Sequence, residues 1–244
     1  MKNITFCNII FRGINKDCLL SEESKLKFIV TANAEFIVYA NNNSYFKKIL
    51  NHNLTTLDGQ IPYWLAQLQN RHVTLEKLSG SDLIYDFCEM ARTEKKRVFL
   101  LGGYLESNRG AVDVLRKMYG IAIDGFSPAY KPFPFDADHN DTILTRIESF
   151  RPDILLVGFG ALKQELWIDK NYQYLNDIGV RWVIGVGGTF EFVSGQIARA
   201  PIIIQRVGLE GIYRFAQEPK WFRLKRIFVS FKIFKYILYH NIVK

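Results

Sequence analysis

The chain has 244 residues, 48% of them apolar and 23% charged, enough to bury one large core and cramped for two full domains. Its net charge of +8 is concentrated at one end: residues 220–244 hold seven basic residues (Lys220, Arg223, Lys225, Arg226, Lys232, Lys235 and Lys244) and no acidic one, leaving 25 basic against 24 acidic in residues 1–219. A near-neutral body argues against nucleic-acid binding, which would spread charge over a face of the whole fold. Three cysteines (Cys7, Cys18, Cys88) without CxxC or zinc-ligand spacing argue against a disulfide framework or zinc site.

In chain order, Met1 to Phe11 lacks the long apolar run of a signal peptide. No stretch of about 18 charge-free apolar residues occurs anywhere, so the protein is expected to stay in the cytoplasm without crossing a membrane. A strand is predicted at Phe28–Thr31, followed by a helix at Ala34–Asn41; a second strand at Leu54–Asp58 precedes a helix at Pro62–Gln69, with Pro62 suited to the first turn. A helix at Ser81–Thr93, with Ser81 as N-cap, leads to a strand at Val98–Leu101. A helix at Ser107–Tyr119, with Ser107 as N-cap, leads to a strand at Ile121–Asp124. The stretch Pro128–Asp141 holds three of the seven prolines and reads as an ordered surface loop. Helices at Asp138–Phe150 and Lys163–Leu175 then alternate with strands at Ile154–Val157 and Trp182–Val186. This alternation predicts an α/β fold with a mainly parallel sheet flanked by helices.

In such sheets ligands collect at the carboxyl ends of the strands. The unusual polar and glycine residues fall there: Thr31 and Asn33, Asp58 and Gly59, Gly102 and Gly103, Gly125, Gly158 and Gly160, Gly187 and Gly188. The pairs Gly102-Gly103 and Gly187-Gly188 would let backbone amides approach a phosphate, although strand-ending glycines are commonly plain turns. Neither matches a dinucleotide or Walker loop. Asp58 is a carboxylate at a strand end, fit for a general base; the plainer reading, at least equal on sequence alone, makes it a helix cap. Lys163-Gln164-Glu165 opens a helix, where polar side chains ordinarily face solvent. The four histidines (His52, His72, His139, His240) have no ligand spacing and no Asp-x-Asp stands beside a strand, so neither metal nor other cofactor is expected.

Taken together, several fragments resemble the WecG/TagA/CpsF family, glycosyltransferase family 26. They are Thr31-Ala32-Asn33-Ala34-Glu35, Leu57-Asp58-Gly59 with Ile61-Pro62, Ser79-Gly80-Ser81-Asp82-Leu83, Phe99-Leu100-Leu101-Gly102-Gly103, Arg151-Pro152-Asp153-Ile154-Leu155-Leu156-Val157-Gly158, Lys163-Gln164-Glu165, Gly185-Val186-Gly187-Gly188 and Arg199-Ala200-Pro201. Gly208-Leu209-Glu210, Tyr213-Arg214 and Gln217-Glu218-Pro219 extend the match, which covers about residues 25–226. The resemblance implies an inverting, metal-independent transferase with a Rossmann-like catalytic domain over residues 1–200 and a C-terminal helical basic appendage over 201–244. Such a transferase would move a sugar from a UDP-sugar donor to a polyprenyl-diphosphate-linked saccharide.

By that resemblance Asp58 is the base, Thr31, Asn33 and Gln164 lie near the donor and the reacting centre, and Glu191 stands where a ribose contact is usual, although relatives commonly carry aspartate there. Lys77 replaces a usual arginine, keeping charge but losing a bidentate fork on a diphosphate. Leu162 replaces a frequent proline. Without a metal, leaving-group charge must be met by helix N-termini, glycine amides and basic side chains, among them Arg214, Arg223 and Arg226 from the appendage.

The appendage interleaves aromatics with cations from Trp221 to Tyr239, which suits an anionic membrane surface on the cytoplasmic side better than a core helix. A catalytically silent nucleotide-sugar-binding subunit of a polysaccharide assembly complex is the competing reading, and the intact Asp58 favours the enzyme. The sequence leaves room for a homo-oligomer.

Overall fold

The computed structural model describes residues 2–21, 24–219 and 221–242, so Lys220 and Lys244 of the basic tail lie outside the described residues. Six strands form a parallel sheet: β3 (Lys27–Ala32), β4 (Leu54–Leu57), β5 (Val98–Gly102), β6 (Ile123–Phe126), β7 (Ile154–Gly158) and β8 (Trp182–Gly185), in the order β4-β3-β8-β7-β5-β6. Two further strands, β1 (Ile4–Phe6) and β2 (Ile9–Phe11), make a separate antiparallel hairpin. The α/β class read from the alternating pattern is therefore the observed one.

The chain divides into two compact units. The second comprises residues 19–30 and 80–198. Every residue of β5, β7 and β8 is buried, as expected of parallel strands covered on both faces, and this is why they read as unbroken apolar runs. Around them stand α5 (Gly80–Glu94), α6 (Leu105–Tyr119), α7 (Ala137–Phe150), α8 (Lys163–Asp177) and the short α9 (Thr189–Val193). Helix α6 buries Ser107, Asn108, Ala111, Val112 and Leu115, one face at three- and four-residue spacing, and stops at Gly120, whose φ of 64° supplies the left-handed cap. Trp167, Trp182, Phe87, Phe99 and Phe190 are fully buried, and the Trp182 indole N–H donates to the Leu19 carbonyl at 3.0 Å.

The first unit comprises residues 1–18, 31–79 and 199–244. Its hairpin turns on Cys7 and Asn8, with φ of 47° and 61°, the positive pair that a tight two-residue turn requires. Helix α1 (Lys16–Leu20) follows. Helices α2 (Ala34–Asn42) and α3 (Ser44–His52) are capped by Asn33 and Asn43, whose side chains accept from the Phe36 and Phe46 amides at 3.1 and 2.8 Å. Helix α4 spans Gln60–Gln69. The chain from Arg199 onward supplies α10 (Ile202–Arg206), α11 (Glu210–Gln217), α12 (Trp221–Phe231) and α13 (Ile233–Ile242), of which α12 and α13 pack on α2. Two contacts fix that packing: Arg226 Nε donates to Glu35 Oε2 at 2.6 Å, and Asn42 Nδ2 to the Tyr236 hydroxyl at 2.8 Å.

Several boundaries differ from expectation. Ser81 and Ser107 are not N-caps. Helix α5 already begins at Gly80, and α6 begins at Leu105 after Tyr104, which leaves Ser107 buried with its hydroxyl donating to Gln196 Oε1 at 2.6 Å. Strand β6 lies two residues later than Ile121–Asp124, because Val98 pairs with Ile123. The proline-rich loop ends at Asp136, whose carboxylate accepts from the His139 amide at 2.8 Å and starts α7.

Candidate functional site

In the first unit, Thr31, Asn33, Asp58 and Lys77 come together through backbone pairing at the ends of β3 and β4. The Asp58 amide donates to the Ala32 carbonyl at 3.0 Å, joining the two strand ends. Residues 76–79 run alongside: Leu57 bridges to Lys77, the Leu78 amide donates to Leu57 O at 2.9 Å, and the Thr56 hydroxyl donates to Leu78 O at 2.8 Å. Asp58 is half-buried, in keeping with a carboxylate at the mouth of a strand end. The N-cap of α4 is Gly59, at φ 92° and with no side-chain cap bond, so Asp58 does not occupy the capping position that the plainer reading gave it.

The appendage arginines have carboxylate partners. Arg223 pairs with Glu218, and Arg226 with Glu35 in the first turn of α2. Glu35 drew no role from sequence, since a partner 191 residues away leaves no local trace. Arg214 lies half-buried in α11.

In the second unit, the turn after β5 is held from both sides. Buried Asn108 donates to the Leu100 and Gly102 carbonyls at 3.0 and 2.8 Å, and the Ser127 hydroxyl donates to Gly103 O at 2.6 Å. The glycine amides are less open than expected: Gly103 N donates to Gly158 O at 3.0 Å, and Gly187 N to Gln164 Oε1 at 3.0 Å. What the glycines provide instead is close approach. A Cβ on Gly102 would lie 2.8 Å from the Phe159 ring, one on Gly103 2.9 Å from Phe190, and one on Gly158 2.8 Å from Phe190 and 2.9 Å from Gly187 O. A Gly158→Ala variant should therefore lose about 1–3 kcal/mol, the usual cost of overpacking. A thermal melt unchanged from wild type would contradict this packing.

Gln164 and Glu165, expected to face solvent, are buried at 3% and 0% exposure, while Lys163 lies over the Tyr130 ring at 5.6 Å. Gln164 Nε2 donates to Glu165 Oε1 at 2.7 Å, and its carbonyl holds the Gly187 amide, so one side chain ties the start of α8 to the turn after β8. Gly188 is the N-cap of α9, and Glu191 follows in that helix's first turn. Glu191 Oε2 is buried and has no hydrogen-bond partner among the described residues, an acceptor suited to a ligand hydroxyl. Asn108 and Glu165 were missed on sequence: both are polar residues in helix first turns, a setting that is ordinarily solvated.

Among the described residues no three His, Cys, Asp or Glu side chains gather as metal ligands would. Burial pushes the Cys7 and Cys88 thiols up to about 12, so neither is a thiolate nucleophile at neutral pH. No helix among the described residues is long and apolar enough to cross a membrane.

Comparison with known proteins adds two findings. Residues 8–244 match the family described as Glycosyl transferase WecG/TagA/CpsF family. Proteins of Staphylococcus aureus strains MRSA252 and MW2, each named N-acetylglucosaminyldiphosphoundecaprenol N-acetyl-beta-D-mannosaminyltransferase, are 30% identical over 209 residues, covering 86% of this chain and 78% of the relative.

Proposed function

Because the chain belongs to the glycosyl transferase WecG/TagA/CpsF family and is a glycosyltransferase, we propose that it moves a sugar from a UDP-sugar to a polyprenyl-diphosphate-linked saccharide, with inversion and without a metal, in bacterial cell-surface polysaccharide synthesis. The acceptor class follows the relatives' names, which specify an N-acetylglucosaminyl-diphosphoundecaprenol acceptor and an N-acetylmannosaminyl group. That sugar is the first donor to test.

Asp58 is the base. It takes the proton of the acceptor hydroxyl as the hydroxyl oxygen bonds to the anomeric carbon. The bond from that carbon to the diphosphate oxygen breaks on the opposite side, and UDP leaves with the electron pair. The observation that carries this reading is the seating of Asp58 at the joined ends of β3 and β4, with the helix-capping position taken by Gly59. Thr31, Asn33 and Lys77 share that end and are assigned to substrate binding.

On the donor side, Gly102, Gly103, Gly187 and Gly188 are assigned to substrate binding, Gln164 sets the second turn, and Glu191 accepts from the ribose hydroxyls. Charge on the leaving diphosphate is met by Lys77, Arg214, Arg223 and Arg226. The diphosphate must compete with Glu218 and Glu35 for the last two, which keeps these arginines in place before substrate arrives. The protein works on the inner face of the cytoplasmic membrane, held there peripherally by α12 and α13.

Calorimetric titration with UDP in the presence and absence of EDTA tests the metal-free reading. Affinity should be the same in both. Complete loss of UDP binding in EDTA would rule the proposal out.

A further inference from the structure

We propose that Glu165 is a positioning residue for the transfer: it locks the side-chain amide of Gln164 in one orientation and, through it, the Gly187-Gly188 turn. Both residues stand in the first turn of α8, yet neither is solvated, so the hydrogen bonds they make inside the protein set their orientation. The Gln164 Nε2 bond to Glu165 Oε1, at 2.7 Å, decides which way the amide faces. Its oxygen is thereby turned to the Gly187 N–H at 3.0 Å. A flipped amide would set oxygen against the Glu165 carboxyl oxygen and an NH2 against the Gly187 N–H, losing two buried hydrogen bonds at once.

The backbone has been cleared for this pair. A Cβ on Gly185 would lie 2.4 Å from Glu165 Oε1 and 2.5 Å from Gln164 Nε2, so only glycine at the end of β8 lets the relay close. Beyond it, Gly187 takes φ 57°, and Gly188 leads directly into the helix that carries Glu191. Segment 187–191 is thus oriented by a buried chain of two hydrogen bonds that starts at Glu165. This inference rests on the donor-binding role proposed above for that segment.

Steady-state kinetics with donor and acceptor varied separately, together with UDP titration calorimetry on the same proteins, test it. Glu165→Leu should raise the donor KM and weaken UDP binding roughly tenfold to a hundredfold while the acceptor KM stays constant, because one buried hydrogen bond is lost. A residue that only stabilised the fold would lower the active fraction and leave both KM values alone. Glu165→Gln keeps an oxygen facing Gln164 and should remain within about threefold of wild type. Gln164→Leu should match Glu165→Leu, and the double variant should be no worse than either.

Gly185→Ala retains every polar group but crowds the pair, and it should raise the donor KM as well; it also decides the matter if Glu165→Leu does not fold. An unchanged donor KM and UDP affinity in Glu165→Leu or Gly185→Ala would overturn the inference. So would equal losses in Glu165→Gln and Glu165→Leu, or additive losses in the double variant. If wild type bound UDP but transferred no sugar, the proposed reaction would fail while the UDP affinities still judged the relay.

Discussion

Replacing Asp58 with asparagine is expected to slow sugar transfer roughly 10²–10⁴-fold, the usual size of a general-base contribution, with UDP affinity little changed. Asparagine keeps the shape of the side chain and most of its hydrogen bonds and removes only the proton acceptor. A capping role would have made the substitution nearly silent, since asparagine caps about as well as aspartate. Asp58 itself stands one residue before the N-cap Gly59 of α4. The fold should also tolerate the change. The bond that joins β3 to β4 here runs from the Asp58 backbone amide to Ala32 O and does not use the carboxylate. An Asp58→Asn enzyme that folds, binds UDP and transfers sugar at near wild-type rate would end the catalytic assignment.

The parts of the fold legible in the sequence were those where one physical signal dominates. Val98–Gly102 and Ile154–Gly158 are buried on both faces, so their apolar runs could not be mistaken, and the helices beside them were located to within two or three residues. The hairpin at Ile4–Phe11 was not read, because its turn uses Cys7-Asn8 in place of the usual Asn-Gly or Asp-Gly. Helix α3 was missed although Asn43 caps it, since an asparagine run from 41 to 43 reads as a break. At the candidate site, the residue types at the strand ends were visible, while their hydrogen-bond partners were not. Gly103 and Gly187 read as open amides, whereas in the fold Gly158 O and Gln164 Oε1 already accept from them. Conversely, Gly185 was the available trace of the buried Gln164–Glu165 pair, but a glycine at a strand end has too many ordinary explanations to point to it.

Deleting the chain from Trp221 onward is expected to release the protein from anionic vesicles and to lower turnover on a lipid-linked acceptor. The two helices sort their residues by face. Arg223 and Arg226 turn to Glu218 and Glu35, while Trp221, Lys225, Phe228, Phe231, Lys232, Phe234 and Lys235 are all exposed. Trp221 is 76% exposed and Phe228 64%, and their seven-residue spacing puts both on one stripe of α12. Among the described residues no carboxylate pairs with Lys225, Lys232 or Lys235. Counting all the tail cations as membrane contacts would overstate the attraction, because the two arginines already have partners. At about 1 kcal/mol for each basic residue near an anionic surface, the three lysines contribute roughly 3 kcal/mol, about a hundredfold in binding, to which insertion of the aromatic rings adds. High salt should weaken the lysine part and spare the aromatic part. Sedimentation with phosphatidylserine vesicles reads both, and a thermal melt of the truncated protein checks that it still folds. If the truncated protein pelleted as fully as the intact one, the anchor would have to be sought elsewhere in the first unit, where Ile202, Ile203 and Val207 are also exposed.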